Sequence, residues 1–209
     1  MDADLLQEAK ACFGGGTAIS LLLDEYRESV GIDFLCADLA GYRLLRNVSL
    51  EGIAGLFESL DGMEQVRDVR SDRDGIRTAM RVGDIVVKFE IVLEGRIPLS
   101  GARNATLGVP VLDRESLFAE KLLANDDRWA DRGTMNRDII DLAMMISRWG
   151  PVPDTSRETA RGAYGKRVDE SFGKAADRIS DLDWLERCMR DMSMDEALST
   201  VILDALGRS

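Results

Sequence analysis

Two apolar periodicities divide this chain, and the change from one to the other limits the architectures open to it. Three segments in the middle, Gln65 to Val69, Ile76 to Val82 and Ile85 to Leu93, have strand character. It is clearest in Val87-Lys88-Phe89-Glu90-Ile91, where apolar and charged residues alternate, the period of a half-buried strand. Asp74-Gly75 and Gly83-Asp84 lie between these segments and suit hairpin turns. From Asp113 the apolar residues take helical spacing. Asp113 can cap a helix carrying Leu117, Phe118, Lys121 and Leu122. Asn136 can cap the next, and Gly150-Pro151-Val152-Pro153 ends it. Three more amphipathic helices are expected, at Ser156 to Asp169, Ser180 to Met192 and Met194 to Leu206. The predicted class is α+β: a mixed or antiparallel sheet flanked by helices over residues 1–112, then a helical C-terminal half over 113–209.

The N-terminal stretch adds the remaining elements. Leu5, Leu6, Ala9 and Cys12 predict a helix from about Ala3 to Cys12. Three glycines follow, and Thr17 can cap a short helix carrying Ile19, Leu22 and Leu23. Tyr26 to Val30 reads as a loop, and Gly31 to Cys36 as a buried strand. Gly41 to Leu60 reads as helical, with breaks possible at Gly52 and Gly55. Asn104 to Leu112 adds a last short strand.

Composition excludes several chemistries. The chain of 209 residues has no histidine, which removes Ser-His and Cys-His catalysis and His-type zinc sites. The three cysteines, Cys12, Cys36 and Cys188, lack motif spacing and lie among apolar residues, as core thiols of a reducing compartment do. The net charge of -11 argues against bulk-charge attraction to nucleic acid. A local basic groove stays open. Arg67, Arg70, Arg73, Arg77 and Arg81 form either such a groove or a solvated hairpin balanced by Asp68, Asp72 and Asp74. No signal peptide and no membrane-length apolar run are visible, so a cytoplasmic protein is expected.

Catalysis must then use carboxylates, lysine, a metal or backbone dipoles. The glycine loop Gly14-Gly15-Gly16 before a helix start can bring backbone N–H groups to a phosphate, or form only a tight turn. Asp33, between Ile32 and Phe34, faces away from both, and a buried acid needs a partner or a metal. Lys88 and Glu90 share a strand face. If that strand neighbours the Asp33 strand, Asp33 and Glu90 could hold one Mg²⁺ against a triphosphate. The plainer alternative is the exposed face of a hairpin. Lys121 and Asp138 lie on consecutive helices, where they either handle phosphate charge and protons or form inter-helix salt bridges.

The order of these elements resembles the AbiEii/AbiGii-type nucleotidyltransferase toxin family. Its first block reads Gly-Gly-Thr-Ala, then Arg-x-Ser-x-Asp-hydrophobic-Asp-Phe. Here the corresponding residues are Gly15-Gly16-Thr17-Ala18, then Arg27-x-Ser29-x-Gly31-Ile32-Asp33-Phe34. Glu120-Lys121-Leu122, Arg128 and Arg137-Asp138-Ile139-Ile140-Asp141-Leu142 resemble its second block. The resemblance spans roughly residues 13 to 148. It implies a polymerase-β-like nucleotidyltransferase core and transfer of a nucleotide from a nucleoside triphosphate to an RNA, tRNA ends included, or to a protein. A cognate antitoxin is an implied partner. In that picture Gly15, Gly16, Thr17, Arg27, Ser29 and Lys88 bind the nucleotide. Asp33 and Glu90 hold Mg²⁺, and Lys121 and Asp138 complete the catalytic set.

One position departs from the pattern. The first acid of the family's Asp-x-Asp pair is Gly31 here, and glycine has no side chain to ligate a metal. Loss of even a group behind the ligands costs a metal site about 10- to 100-fold. Two alternatives to an active enzyme follow: a non-catalytic member that still binds nucleotide or RNA, and a partner-binding module of a defence operon.

Overall fold

The computed structural model describes residues 1–208, and they form two compact units. The first comprises residues 1–18 and 30–113; the second comprises 19–29 and 114–208 of the described chain. Among the described residues no helix is long and apolar enough to cross a membrane.

The first unit is built on a seven-stranded sheet in the order β3-β4-β5-β2-β1-β7-β6. Its strands are β1 (Ala11–Gly14), β2 (Gly31–Cys36), β3 (Met63–Ser71), β4 (Gly75–Val82), β5 (Ile85–Leu93), β6 (Gly101–Arg103) and β7 (Pro110–Leu112). The sheet is mixed: β2 runs parallel to β5 and β1 parallel to β7, while the other neighbours are antiparallel. Helices α1 (Ala3–Glu8) and α3 (Leu39–Ser49) and a 3-10 turn at Ile53–Leu56 complete the unit. Helix α2 (Gly15–Leu22) starts here and carries the chain into the second unit.

Strand alternation builds the core on one face. Phe13, Phe34 and Phe89 sit on β1, β2 and β5 with ring centroids 5.5 and 6.1 Å apart, and Phe57 stacks 5.6 Å from Phe89. Phe34 and Phe89 are each 2% exposed. Their strand neighbours Asp33 and Glu90 therefore point to the opposite face.

The second unit is helical: α4 (Arg114–Arg128), α5 (Arg137–Trp149), α6 (Asp154–Tyr164), α7 (Arg167–Ile179), α8 (Leu182–Asp191) and α9 (Leu198–Ala205). Helix α4 packs on α5, α6 and α7, and α5 packs on α9. The segment from Ile19 to Ser29 belongs to this unit.

Local differences from the sequence reading have identifiable causes. The first helix stops at Glu8 because Lys10 takes a left-handed conformation (φ 53), and Ala11–Gly14 pairs as a strand. Thr17 is the third residue of α2 rather than its cap. The expected helix from Gly41 to Leu60 is α3 followed by the 3-10 turn. In the expected strand from Asn104, the Asn104 carboxamide oxygen accepts from the N–H groups of Thr106 and Leu107 and makes a turn between β6 and β7. Gly165 (φ 71) separates α6 from α7, so four helices stand where three were expected after Gly150.

The Phe34 ring bridges two neighbouring strands. Phe34→Ala is expected to lower unfolding free energy by about 3–5 kcal/mol, measured by denaturant titration.

Candidate active site

In the sheet unit, register does most of the positioning. Asp33 of β2 is paired with Glu90 of β5, and Glu90 with Arg77 of β4. On the other side Asp33 is paired with Gly14 of β1. A row of side chains thus runs across one face, with two carboxylates side by side in its centre. Two residues back along β2, Gly31 is paired with Lys88. Asp33, Glu90, Lys88 and the glycine turn are brought together.

Gly15 closes this arrangement. It has φ +70, and a Cβ there would lie 2.8 Å from Asp33 Oδ2. Any side chain would strain the turn and push on the carboxylate. The start of α2 therefore lies directly against Asp33. Thr17 donates its hydroxyl hydrogen bond to the Gly31 carbonyl, which ties the first turn of α2 to β2. Gly31 itself has room: a Cβ there would be 3.7 Å from Asp33 Oδ2, an ordinary contact.

Glu90 is largely buried and accepts from two cations, Arg77 Nε at 3.2 Å and Lys88 Nζ at 3.1 Å. Among the described residues no cluster of three or more histidine, cysteine, aspartate or glutamate side chains forms a metal cage. Magnesium, however, is commonly held by one or two carboxylates together with substrate phosphates. The adjacent Asp33 and Glu90 fit a metal that arrives with a triphosphate.

The arginine-rich hairpin is mostly balanced. Arg81 pairs with Glu64, Arg73 with Asp74, Arg70 with Asp72, and Arg77 with Asp72 and Glu90. The sequence pointed to Asp68 as well, but the acids that do the pairing are Asp72, Asp74, Glu64 and Glu90. The three thiols are buried and free, and burial pushes Cys12 and Cys188 up to about 11, so they act as core residues.

The helical unit holds a second charged constellation. Lys121 on α4 reaches Asp138 Oδ1 at 3.1 Å and Asp141 Oδ2 at 2.8 Å, both on α5. Arg128 grips Asp138 through Nε and Nη2 at 2.6 and 2.9 Å. Arg27 does the same to Asp141, at 2.7 and 3.0 Å, and Tyr26 donates its hydroxyl to the same carboxylate. The helix periodicity explains the match, since Asp138 and Asp141 are three apart on one face. Arg27 was expected to contact a nucleotide; its guanidinium is 5% exposed and turned into this cluster. Ser29 is half-buried in the same unit. Asp141, Tyr26 and Arg128 were not among the expected site residues. The Arg-Asp spacing in the sequence gave no sign that residue 27 would meet residue 141.

Burial alone would raise the Asp138 carboxyl, but Lys121 and Arg128 outweigh it and hold it well below the usual range. The same balance, with Lys121 and Arg27, keeps Asp141 ionised. Three cations face two carboxylates, which leaves one net positive charge. Arg128, 36% exposed, is where that charge meets solvent.

Two outcomes follow. Asp141→Ala strands Arg27 in the interior and takes one of two carboxylate partners from Lys121, and the expected loss is about 3–5 kcal/mol in chemical denaturation. Asp138 and Asp141 have folded values below the unfolded value of about 3.9, so their contribution is complete above that pH and is lost as pH falls through their folded values. Unfolding free energy should therefore fall as pH drops below about 4, with a shallower slope in Asp138→Asn.

The family model described as "Nucleotidyl transferase AbiEii toxin, Type IV TA system" matches residues 2–202. An antigenic nucleotidyltransferase-like protein from Paracoccidioides brasiliensis is similar in structure, with a TM-score of 0.51 at 17% identity, over 87% of this chain and 86% of that one. MenT4, a nucleotidyltransferase toxin from Mycobacterium tuberculosis, aligns over 98% of this chain and 88% of its own at 17% identity and a TM-score of 0.37. No curated relative matches the chain. The sequence match extends over both units, and the chain belongs to the AbiEii nucleotidyltransferase toxin family.

Proposed function

We propose that this toxin transfers a nucleotide from a nucleoside triphosphate to an RNA acceptor, tRNA ends included, in the cytoplasm. The observation that carries the reading is the in-register pair Asp33 and Glu90 beside the Gly15 turn. The acceptor hydroxyl oxygen forms a bond to the α-phosphorus, the bond from that phosphorus to pyrophosphate breaks, and the hydroxyl proton passes to solvent. Asp33 and Glu90 would hold Mg²⁺, which supplies Lewis-acid neutralisation of the phosphate charge.

The chain's own groups do the rest. Backbone N–H groups at Gly15, Gly16 and Thr17 open α2 and present its positive end to phosphate oxygens. Lys88 is 66% exposed and mobile enough in reach to leave Glu90 for a phosphate. Arg77 can do likewise, so the arriving triphosphate frees Glu90 for the metal. In the helical unit, Lys121 and Asp138 hold the cluster that presents Arg128. Asp138, held ionised at neutral pH by Lys121 and Arg128, acts as a positioning residue rather than a proton acceptor. A cognate antitoxin is the partner that the family implies.

A second reading has its own support. With Gly31 in place of an acid and Glu90 already bridged by two cations, the fold could bind nucleotide without catalysing transfer.

Incubation with α-labelled nucleoside triphosphates, Mg²⁺ and total RNA separates the two. The expected result is labelled RNA, reduced at least about 10- to 100-fold in Asp33→Asn, because a direct ligand matters no less than the groups behind it. Gly31→Asp fits the available space and should lower the Mg²⁺ concentration needed for half-maximal transfer. No label from either the wild type or Gly31→Asp, together with calorimetric binding of a triphosphate, would establish the second reading.

A further inference from the structure

Besides the Lys121–Asp138 cluster, the helical unit contains a second set of cations. Arg132, Arg178 and Arg187 line an open depression of about 320 Å³ with Trp184, Asp181 and Asp183. The Arg132 and Arg187 guanidiniums lie 5.6 and 5.8 Å from the centre of the Trp184 ring. Arg178 lies 5.0 Å from the centre of the Trp129 ring, and Lys174 Nζ 5.7 Å from it. Two of the three tryptophans in the sequence are thus each faced by two cations.

The scaffold beneath is fixed. Asn136, 2% exposed, donates to the Trp129 carbonyl and accepts from the Trp184 indole N–H, at 2.9 Å in both cases. Arg178 Nη1 donates to the carbonyls of Trp129 and Ala130 at 2.9 and 3.1 Å. One buried carboxamide therefore joins the Trp129 backbone to the Trp184 indole, and Arg178, which lies over the Trp129 ring, lines the depression with Trp184.

Elsewhere among the described residues most arginines meet a carboxylate; these do not. Among the described residues no ion pair engages Lys174, Arg132, Arg178 or Arg187. Asp181 is already used as the cap of α8, where it accepts from the Trp184 backbone N–H. In a chain of net charge -11, unpaired guanidiniums gathered at indole faces are a local exception to the overall charge. Trp129 directly follows Arg128, and Asn136 lies two residues before Asp138, so the set adjoins the Lys121–Asp138 cluster.

We infer that the Trp129–Trp184 platform binds single-stranded RNA, with guanidiniums meeting phosphates and with indole and guanidinium planes stacking bases. Cations and aromatic planes in alternation are what unpaired bases on a charged backbone require. An acidic peptide would use the charges but not the indoles. The inference rests on the proposed function in one respect: its ligand is of the same chemical class as that reaction's acceptor.

The test is fluorescence anisotropy with the full chain and a labelled, unstructured oligoribonucleotide of about 12 nucleotides, within the usual range for such surfaces. No triphosphate is present. Arg132 and Arg187 are exposed, so the double variant Arg132→Gln/Arg187→Gln should keep its circular dichroism and thermal midpoint. It is expected to bind roughly 10-fold more weakly or worse, and the slope of log affinity against log salt should flatten by about 1.4 for two lost phosphate contacts. Trp184→Phe should lose part of the fluorescence quenching that RNA causes in the wild type, the rest coming from Trp129. Unchanged affinity and slope in the folded double variant would overturn the inference. So would polyglutamate binding as tightly as the oligonucleotide. Triphosphate binding in the same double variant, measured by calorimetry, reads the sheet unit separately. If it persists while RNA affinity is unaffected, the platform fails and the proposed function stands.

Discussion

A carboxylate with no solvent exposure must be matched by fixed positive charge, and Asp141 meets that requirement from two distant stretches of chain. Arg27 arrives from the loop after α2 and Lys121 from α4. Leaving either partner out would strand a charge in the interior, at a cost far above that of a surface ion pair. This explains why residues 19–29 fold with the helical unit although the strands around them in sequence do not. It also gives Arg27 a reason to be arginine. A planar fork can hold both oxygens of one carboxylate, which lysine cannot do.

The second organising constraint is the parallel pairing of β2 with β5. Strand pairing fixes side chains two by two, and a one-residue slip would send Asp33 or Glu90 into the phenylalanine face. The aromatic row Phe13, Phe34 and Phe89 therefore holds the acids in place from the opposite side of the sheet. Core packing and site geometry are the same register read from two faces. The glycine turn depends on it too, since Gly15 touches Asp33 only when β1 and β2 are aligned as they are.

Much of this was legible in the sequence, and the legible parts share a cause. Alternation in Val87 to Ile91 and around Asp33 put both acids on polar faces, and the turn pairs at Asp74-Gly75 and Gly83-Asp84 marked the hairpins. These are local signals. The pairing of β5 with β2 is not local; it was only a condition in the sequence reading, and the structure meets it. The β1 strand was hidden because Ala11 and Cys12 continue the apolar spacing of the preceding helix, and only the left-handed Lys10 ends that helix. The link from Arg27 to Asp141 was hidden for the same reason that makes it useful: partners 114 positions apart leave no trace in spacing. Lys121 and Asp138 lie on consecutive helices, open in the sequence to either a catalytic role or an inter-helix salt bridge, and the structure displays their mutual contact.

The acidity of the chain is compatible with work on a polyanion once distance is considered. At physiological salt, charges separated by more than about 8 Å are largely screened, so a net charge spread over the surface does little at the point of contact. What counts there is the local set. Beside Asp33, Arg77 and Lys88 already pair with Glu90. In the helical unit the Arg132 and Arg187 guanidiniums at the Trp184 ring provide positive charge without opposing carboxylates in ion-pair contact. A surface that is acidic elsewhere then disfavours indiscriminate binding of anions along the whole molecule. Selectivity for where an anion can settle comes from the same charge distribution that makes the chain acidic overall.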